Sequence, residues 1–273
     1  MTAPPPAKPV RLVKAHAYGN DFLLVRAADL EPTTDASALA RLVCDRHRGI
    51  GADGLLIVTE QPQGAAMRLL NADGSPSEVS GNGVRCIAAW LARLRGLGAG
   101  ATLTIETDAG PKRLELLGVE GSRLTFRAAM GQPEDIRQVT LDVGGEPVRV
   151  ITLRVGNPQC VVLGVATSSR LHAIAGPLAV HPHFPSGTNV ELAEIERPNR
   201  VRILIWERGV GPTESSGTGA CAAAVAAAAF GGTQREVEIV SPGGTQVVEW
   251  TPSGVMLTGW AEVTAEIAWA GGV

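Results

Sequence analysis

Two short turns carry the residues best placed to do chemistry. Ser75 to Gly83 reads SPSEVSGNG, and Gly211 to Gly219 reads GPTESSGTG. In each, a serine (Ser80, Ser216) stands before a glycine-rich turn that runs into a helix-forming stretch, VRCIAAWLARL in one case and ACAAAVAAAAF in the other. The start of a helix presents backbone N–H groups without partners and the positive end of the helix dipole, a natural seat for a carboxylate or phosphate. Serine there is also an ordinary N-cap. A doubled turn suggests more. Inverting a stereocentre beside a carboxylate by proton transfer needs a base on one face, an acid on the other, and a fixed electrostatic sink for the carbanion. Cysteine suits both positions best, because its pKa of about 8.5 falls at a helix N-terminus.

The turns belong to a longer repeat, the first thing to seek in a chain of this size. Pro76/Pro212, Glu78/Glu214, Ser80/Ser216, Gly81/Gly217 and Gly83/Gly219 match at a separation of 136 residues, which also aligns His47 with His183 and Gly51 with Gly187. A separation of 137 aligns Gly19-Asn20 with Gly156-Asn157. Four sites in one order at nearly one separation imply an internal duplication that brings the two turns face to face at one cleft.

Each half reads as mixed α/β (α+β). Strands are expected at 22–26, 55–59 and 66–71, and again at 160–164, 190–194 and 201–206. Helices are expected at 37–45 and 166–175, followed by the helices after the turns, 82–94 and 218–230. Strand meanders at 101–128 and 235–268 close each half. Val84, Ile87, Ala88, Leu91 and Leu94 keep helical spacing, so the first of these helices is expected inside its sheet, while the alanine-rich second must pack closely against something. The expected division is a loose tail at 1–10 and an N-terminal domain at 11–131, completed by a C-terminal strand near 263–273. The C-terminal domain takes 132–262, entered by a linker across 131–147.

Bulk properties narrow the field. The 273 residues are 45% hydrophobic, and 24 basic residues against 27 acidic ones never gather into a run, so nucleic acid is not an expected partner. The longest apolar stretch, 220–230, is too short and alanine-rich to span a bilayer, and MTAPPPAKPV has no apolar core of a signal peptide. Cys44, Cys86, Cys160 and Cys221 show neither metal-ligand nor disulfide spacing, as expected of reduced thiols in a cytoplasmic protein. His181-Pro182-His183 lacks a third metal ligand and reads as a loop; no metal is expected. Gly96 to Gly100 mimics a dinucleotide loop but follows a helix instead of a strand. Ser216 lacks the frame of a hydrolase nucleophile. Glu207-Arg208 reads as a functional charge pair at a strand end beside the cleft.

With these motifs in hand the sequence resembles the diaminopimelate epimerase family across residues 11–265. The resemblance rests on Gly19-Asn20-Asp21-Phe22, RHRGIGADGLL from Arg46, NADGS from Asn71, GNGVRC from Gly81, GNPQCV from Gly156, GTNVE from Gly187, ERGVGPT from Glu207 and GTGACAA from Gly217. It implies two like domains, each a curled, mostly antiparallel sheet around a central helix, with the active site between them. It also implies a cofactor-independent, two-base epimerase, usually a homodimer, that interconverts LL- and meso-diaminopimelate. Asn20, Asn71, Asn157, Asn189, Glu207 and Arg208 then stand where the family grips the two ends of its amino-acid substrate. The amides around Gly81-Asn82 and Gly217-Thr218 stand where it holds the reacting carboxylate. An arginine fork with several asparagines suits a zwitterionic head group.

This chain departs from the family at the centre, where Ser80 and Ser216 stand for two catalytic cysteines and Gln159 for a histidine. A serine hydroxyl supplies almost no conjugate base at pH 7. Replacement of two cysteines in an engineered chain and natural divergence both account for the serines, and Gln159 favours divergence. The alternatives to diaminopimelate epimerisation are a lyase or isomerase on the same scaffold using one non-thiol base such as Glu207, another amino-acid racemase on that scaffold, or an amino-acid-binding protein without catalysis.

Overall fold

The computed structural model describes residues 9–271. Its first half runs β1 (Val10–Ala17), β2 (Asn20–Arg26), α1 (Ala36–Cys44), β3 (Gly54–Gln61), β4 (Gly64–Asn71), β5 (Pro76–Ser77), α2 (Gly81–Arg95), β6 (Thr102–Glu106), β7 (Lys112–Glu120) and β8 (Arg123–Gly131). After β9 (Glu134–Val143) the same order recurs as β10 (Glu146–Val155), β11 (Asn157–Leu163), α3 (Ser168–Ala179), β12 (Asn189–Arg197), β13 (Arg200–Glu207), β14 (Gly211–Thr213), α4 (Gly217–Ala226), β15 (Glu236–Ser241) and β16 (Gly244–Thr251). The long β17 (Gly254–Trp269) follows.

Strand pairing closes a ring in the first half: β1, β2, β3, β4, β6, β7, β8 and β17, which returns to β1. The second half lays β9, β10, β11, β12, β13, β15, β16 and β17 side by side. Most pairs are antiparallel. The parallel pairs β2/β3, β4/β6, β11/β12 and β13/β15 each need a crossover, and the helices supply them. The crossovers through α1 and α3 pass outside the sheets, and those through α2 and α4 pass inside.

The inner helices are buried on every side, as a helix wrapped by sheet must be. Every residue of α2 from Gly81 to Ala92 and every residue of α4 is buried, and both helices share one hydrophobic core. Because α4 is built almost wholly of small residues, its sheet can approach the helix backbone closely. A turn of π-helix, Ala227–Gly231, ends it inside the stretch read from sequence as regular helix. Outside, Leu39, Ala40 and Val43 of α1 cover Leu23, Leu55 and Leu70, while Leu171, Ile174 and Leu178 of α3 cover Val190 and Leu192. Asp35 caps α1 by accepting from the N–H groups of Ser37 and Ala38.

Three elements differ from the sequence-based expectation. The stretch 131–147 is no linker: it forms β9, a turn and the start of β10. Gly144 and Gly145, both at positive φ (63° and 90°), make the tight turn that joins two paired strands, and Val139, Leu141 and Val143 already alternate at strand period. β1 starts at Val10, inside the segment read as tail, while residues 1–8 lie outside the described part. β17 serves both halves. Its 255–262 segment pairs with β8, its 262–269 segment with β1, and its 254–258 segment with β16.

Candidate active site

The two inner helices meet tip to tip. A β-carbon on Gly81 would fall 2.9 Å from the Gly217 Cα, and one on Gly217 would fall 2.8 Å from the Gly81 Cα, so only glycine permits this approach. Each tip is capped by its serine. Ser80 Oγ accepts from the Gly83 N–H at 3.0 Å, and Ser216 Oγ accepts from the Gly219 N–H at 3.2 Å. The N-cap reading and the cleft reading therefore both hold at these residues.

One cavity opens at the junction, lined by Ser80 and Gly81 of one tip and Ser216 and Thr218 of the other, with Asn20, Asn71, Asn157, Asn189, Glu207 and Arg208 around them. These are ten of the thirteen positions singled out from sequence. The other three stand behind the wall. Gly217 lies in the contact between tips. Asn82 is buried and donates to Asn20 Oδ1 at 3.0 Å and to the Ser215 carbonyl at 3.2 Å, bracing one tip against the other. Gln159 is buried too, with Nε2 donating to Asn157 Oδ1 at 2.6 Å and Oε1 without a partner. Its contact is with Asn157, which does line the cavity.

Glu207 and Arg208 do not form the charge pair expected from sequence. β13 ends at Glu207, and the chain turns so that Arg208 points elsewhere: its guanidinium reaches Glu78 of the other half at 3.3 Å and the Ser186 carbonyl at 2.6 Å. The Arg208 N–H donates to Asn189 Oδ1 at 2.9 Å, which fixes that amide. Glu207 as a whole is only part-buried, but its carboxyl is desolvated, and burial pushes it up to about 7. The neighbouring Ser216 hydroxyl offsets part of that rise. A carboxyl in this range is half ionised at neutral pH and suited to take or return a proton.

Cys86 and Cys221 cannot substitute for thiols at the tips. Both are buried inside the sheets, and burial pushes each thiol up to about 12.

The structure adds residues that sequence reasoning missed. Asp53 lines the cavity and is held by Asn20 Nδ2 at 2.8 Å and Arg46 at 2.7 Å. Asn71 corresponds to Glu207 in the repeat, whereas the strand register sets Gly54, one residue past Asp53, in the place of Asn189: Gly54 pairs with Phe22 of β2 as Asn189 pairs with Gln159 of β11. The signal available for Asp53 was its place inside the RHRGIGADGLL motif. Glu191 lies one step deeper, fully buried, with neither carboxyl oxygen partnered and Oε1 only 2.5 Å from where a β-carbon on Gly219 would sit. Its counterpart against Gly83 in the first half is Leu56. Burial, with the neighbouring Glu207, raises the Glu191 carboxyl well above the usual carboxylate range.

Two sheets curled around helices whose capped tips face each other across one cavity define an architecture shared with amino-acid epimerases and racemases. A hydroxyproline epimerase from Agrobacterium vitis, solved with trans-4-hydroxy-L-proline, superposes with a TM-score of 0.73 over 96% of this chain and 92% of its own, at 16% identity. A Pseudomonas aeruginosa structure described as a predicted epimerase reaches 0.75 over 96% and 100%, also at 16% identity. At the level of sequence the likeness is more specific. The family model for diaminopimelate epimerase matches residues 12–135 and 151–264, and the chain belongs to that family. Diaminopimelate epimerases from Desulforudis audaxviator and Pelotomaculum thermopropionicum are 42% and 38% identical, covering 95% and 93% of this chain and 99% and 96% of their own lengths.

Proposed function

We propose that this protein binds diaminopimelate, or a closely similar diaminodicarboxylic acid, between the two helix tips and exchanges the proton on its α-carbon. The observation that carries the reading is the tip-to-tip meeting of α2 and α4 in one cavity, with Ser80 and Ser216 capping from opposite halves. The amides of the tips would hold the reacting carboxylate and delocalise the charge that develops as the α-proton passes to Glu207 beside Ser216, with the Ser80 hydroxyl of the opposite tip placed to return a proton to the other face. Arg208 and the asparagines would hold the distal amino-acid end, where a bidentate fork and carbonyl acceptors match carboxylate and ammonium. The names of the relatives point to epimerisation of diaminopimelate, and the sequence resemblance makes the LL and meso isomers the expected pair. Incubation of each stereoisomer in D2O, followed by mass spectrometry and chiral analysis, tests the reading. Deuterium at Cα together with inversion is the expected result, and absence of both label and binding overturns it.

A second reading follows from the asymmetry between the tips. Glu207 neighbours Ser216, while the equivalent position in the other half is Asn71, which cannot accept a proton at neutral pH. A single base at Glu207 would give label without inversion, the signature of a one-base lyase or isomerase on this scaffold.

A further inference from the structure

The largest fully buried side chain among the described residues is a cation. Arg85, one turn into α2, is 0% exposed, and its guanidinium faces no carboxylate among the described residues. The titratable groups around it are Tyr18, whose ring centre lies 5.9 Å away, and the buried thiols Cys86 and Cys221; all three are neutral at pH 7. Lys112, the other buried cation of this region, donates to the Met130 carbonyl at 3.3 Å. Nη2 of Arg85 donates to Asn82 Oδ1 and to Gln246 Oε1, the latter at 2.7 Å, while Nε and Nη1 have no partner. A buried charge without a counter-charge is costly, and two amide dipoles compensate only part of it.

Its connections explain where the missing negative charge belongs. A helical side chain leans toward the helix N-terminus, so the guanidinium of Arg85 sits behind the tip of its own helix. Through Asn82 it braces Asn20, which lines the cavity. Through Gln246, whose Nε2 donates to Ser215 Oγ at 3.2 Å, it braces the residue that leads into the opposite tip. The repeat counterpart of Arg85 is Cys221, a neutral thiol, so the pair of tips has one such charge for one anion.

We infer that Arg85 is a positioning residue of the anion site, whose buried charge acts through Asn82 and Ser215 and is compensated when a carboxylate binds between the helix tips. The inference rests on the proposed site but not on the identity of its substrate. It also assigns the two halves different parts, the first supplying the fixed charge and the second the titratable Glu207.

The test compares wild type with Arg85→Gln and Arg85→Lys, using sulfate as a substrate-independent anion and diaminopimelate as the substrate. Affinity is read from thermal shift and calorimetry at constant ionic strength. Sulfate should bind Arg85→Gln more weakly by on the order of tenfold. Arg85→Lys, whose buried ammonium has a depressed pKa, should bind sulfate like wild type at low pH and lose affinity more steeply than wild type as pH rises, the wild-type profile carrying only the ionisation of the cavity carboxyls such as Glu207. A merely structural arginine would weaken both variants alike at every pH, and that result overturns the inference. Should Arg85→Gln fail to fold, the pH profile of Arg85→Lys decides alone: a profile parallel to wild type refutes a role for the charge. Sulfate binding that follows this pattern while diaminopimelate fails to bind wild type would remove the substrate assignment and leave Arg85 in place.

Discussion

At the scale of single residues, the site is defined by which groups can hold a proton at neutral pH. Glu207 is the one cavity carboxyl lifted to about 7, so base-dependent Cα exchange should rise with pH through a midpoint near 7. Glu207→Gln should abolish that rise, as measured by deuterium uptake across pH 5–9. Ser80→Cys with Ser216→Cys would put thiols at two helix N-termini, where thiolates are favoured, and should raise inversion relative to wild type by at least tenfold. Chiral analysis of product checks it. Glu191 offers a test through stability. Its folded-state pKa lies above the unfolded one, so its contribution is intact below the unfolded value of about 4.3 and is lost as pH rises toward the folded value. Glu191→Gln removes that loss, and its stability relative to wild type should therefore grow between pH 5 and pH 8 in denaturant titrations. Of these groups, Ser80, Ser216 and Glu207 were legible in sequence because they repeat or border a motif. Glu191 and Arg85 were not, because a charged residue beside apolar ones gives no sign of whether its side chain is buried or solvated.

At the scale of elements, the helix tips depend on the absence of side chains. Gly217→Ala would bring a β-carbon to 2.8 Å from the Gly81 Cα and 3.2 Å from the Asn82 nitrogen, with only backbone to give way. The tips must then separate, and a loss of about 1–3 kcal/mol in stability is expected together with loss of ligand binding. Paired thermal melts with and without diaminopimelate would show both. Most inner and outer helices and paired strands were visible in sequence to within a few residues, since period and glycine punctuation mark them. β1, β9 and β10 were not. β1 follows directly on a proline-rich segment that reads as a tail, and the glycine pair at 144–145 marks a hairpin turn as readily as a linker, so composition alone could not separate them.

At the scale of the whole molecule, the two halves are bound into one unit. They share a hydrophobic core, hydrogen bonds such as Asn82 to Ser215, the Arg208–Glu78 ion pair and the single strand β17. Calorimetry should therefore record one cooperative unfolding transition, with van't Hoff and calorimetric enthalpies in agreement. The duplication was readable from matched motifs, but the sharing of β17 was not, because the repeat supplies no hint that one strand serves two sheets. That strand also fixes the order in which the protein can be made. The ring around α2 closes only when 262–269 lie against β1, so a nascent chain holds its first half open, with the apolar flank of α2 uncovered, until the second half has been synthesised.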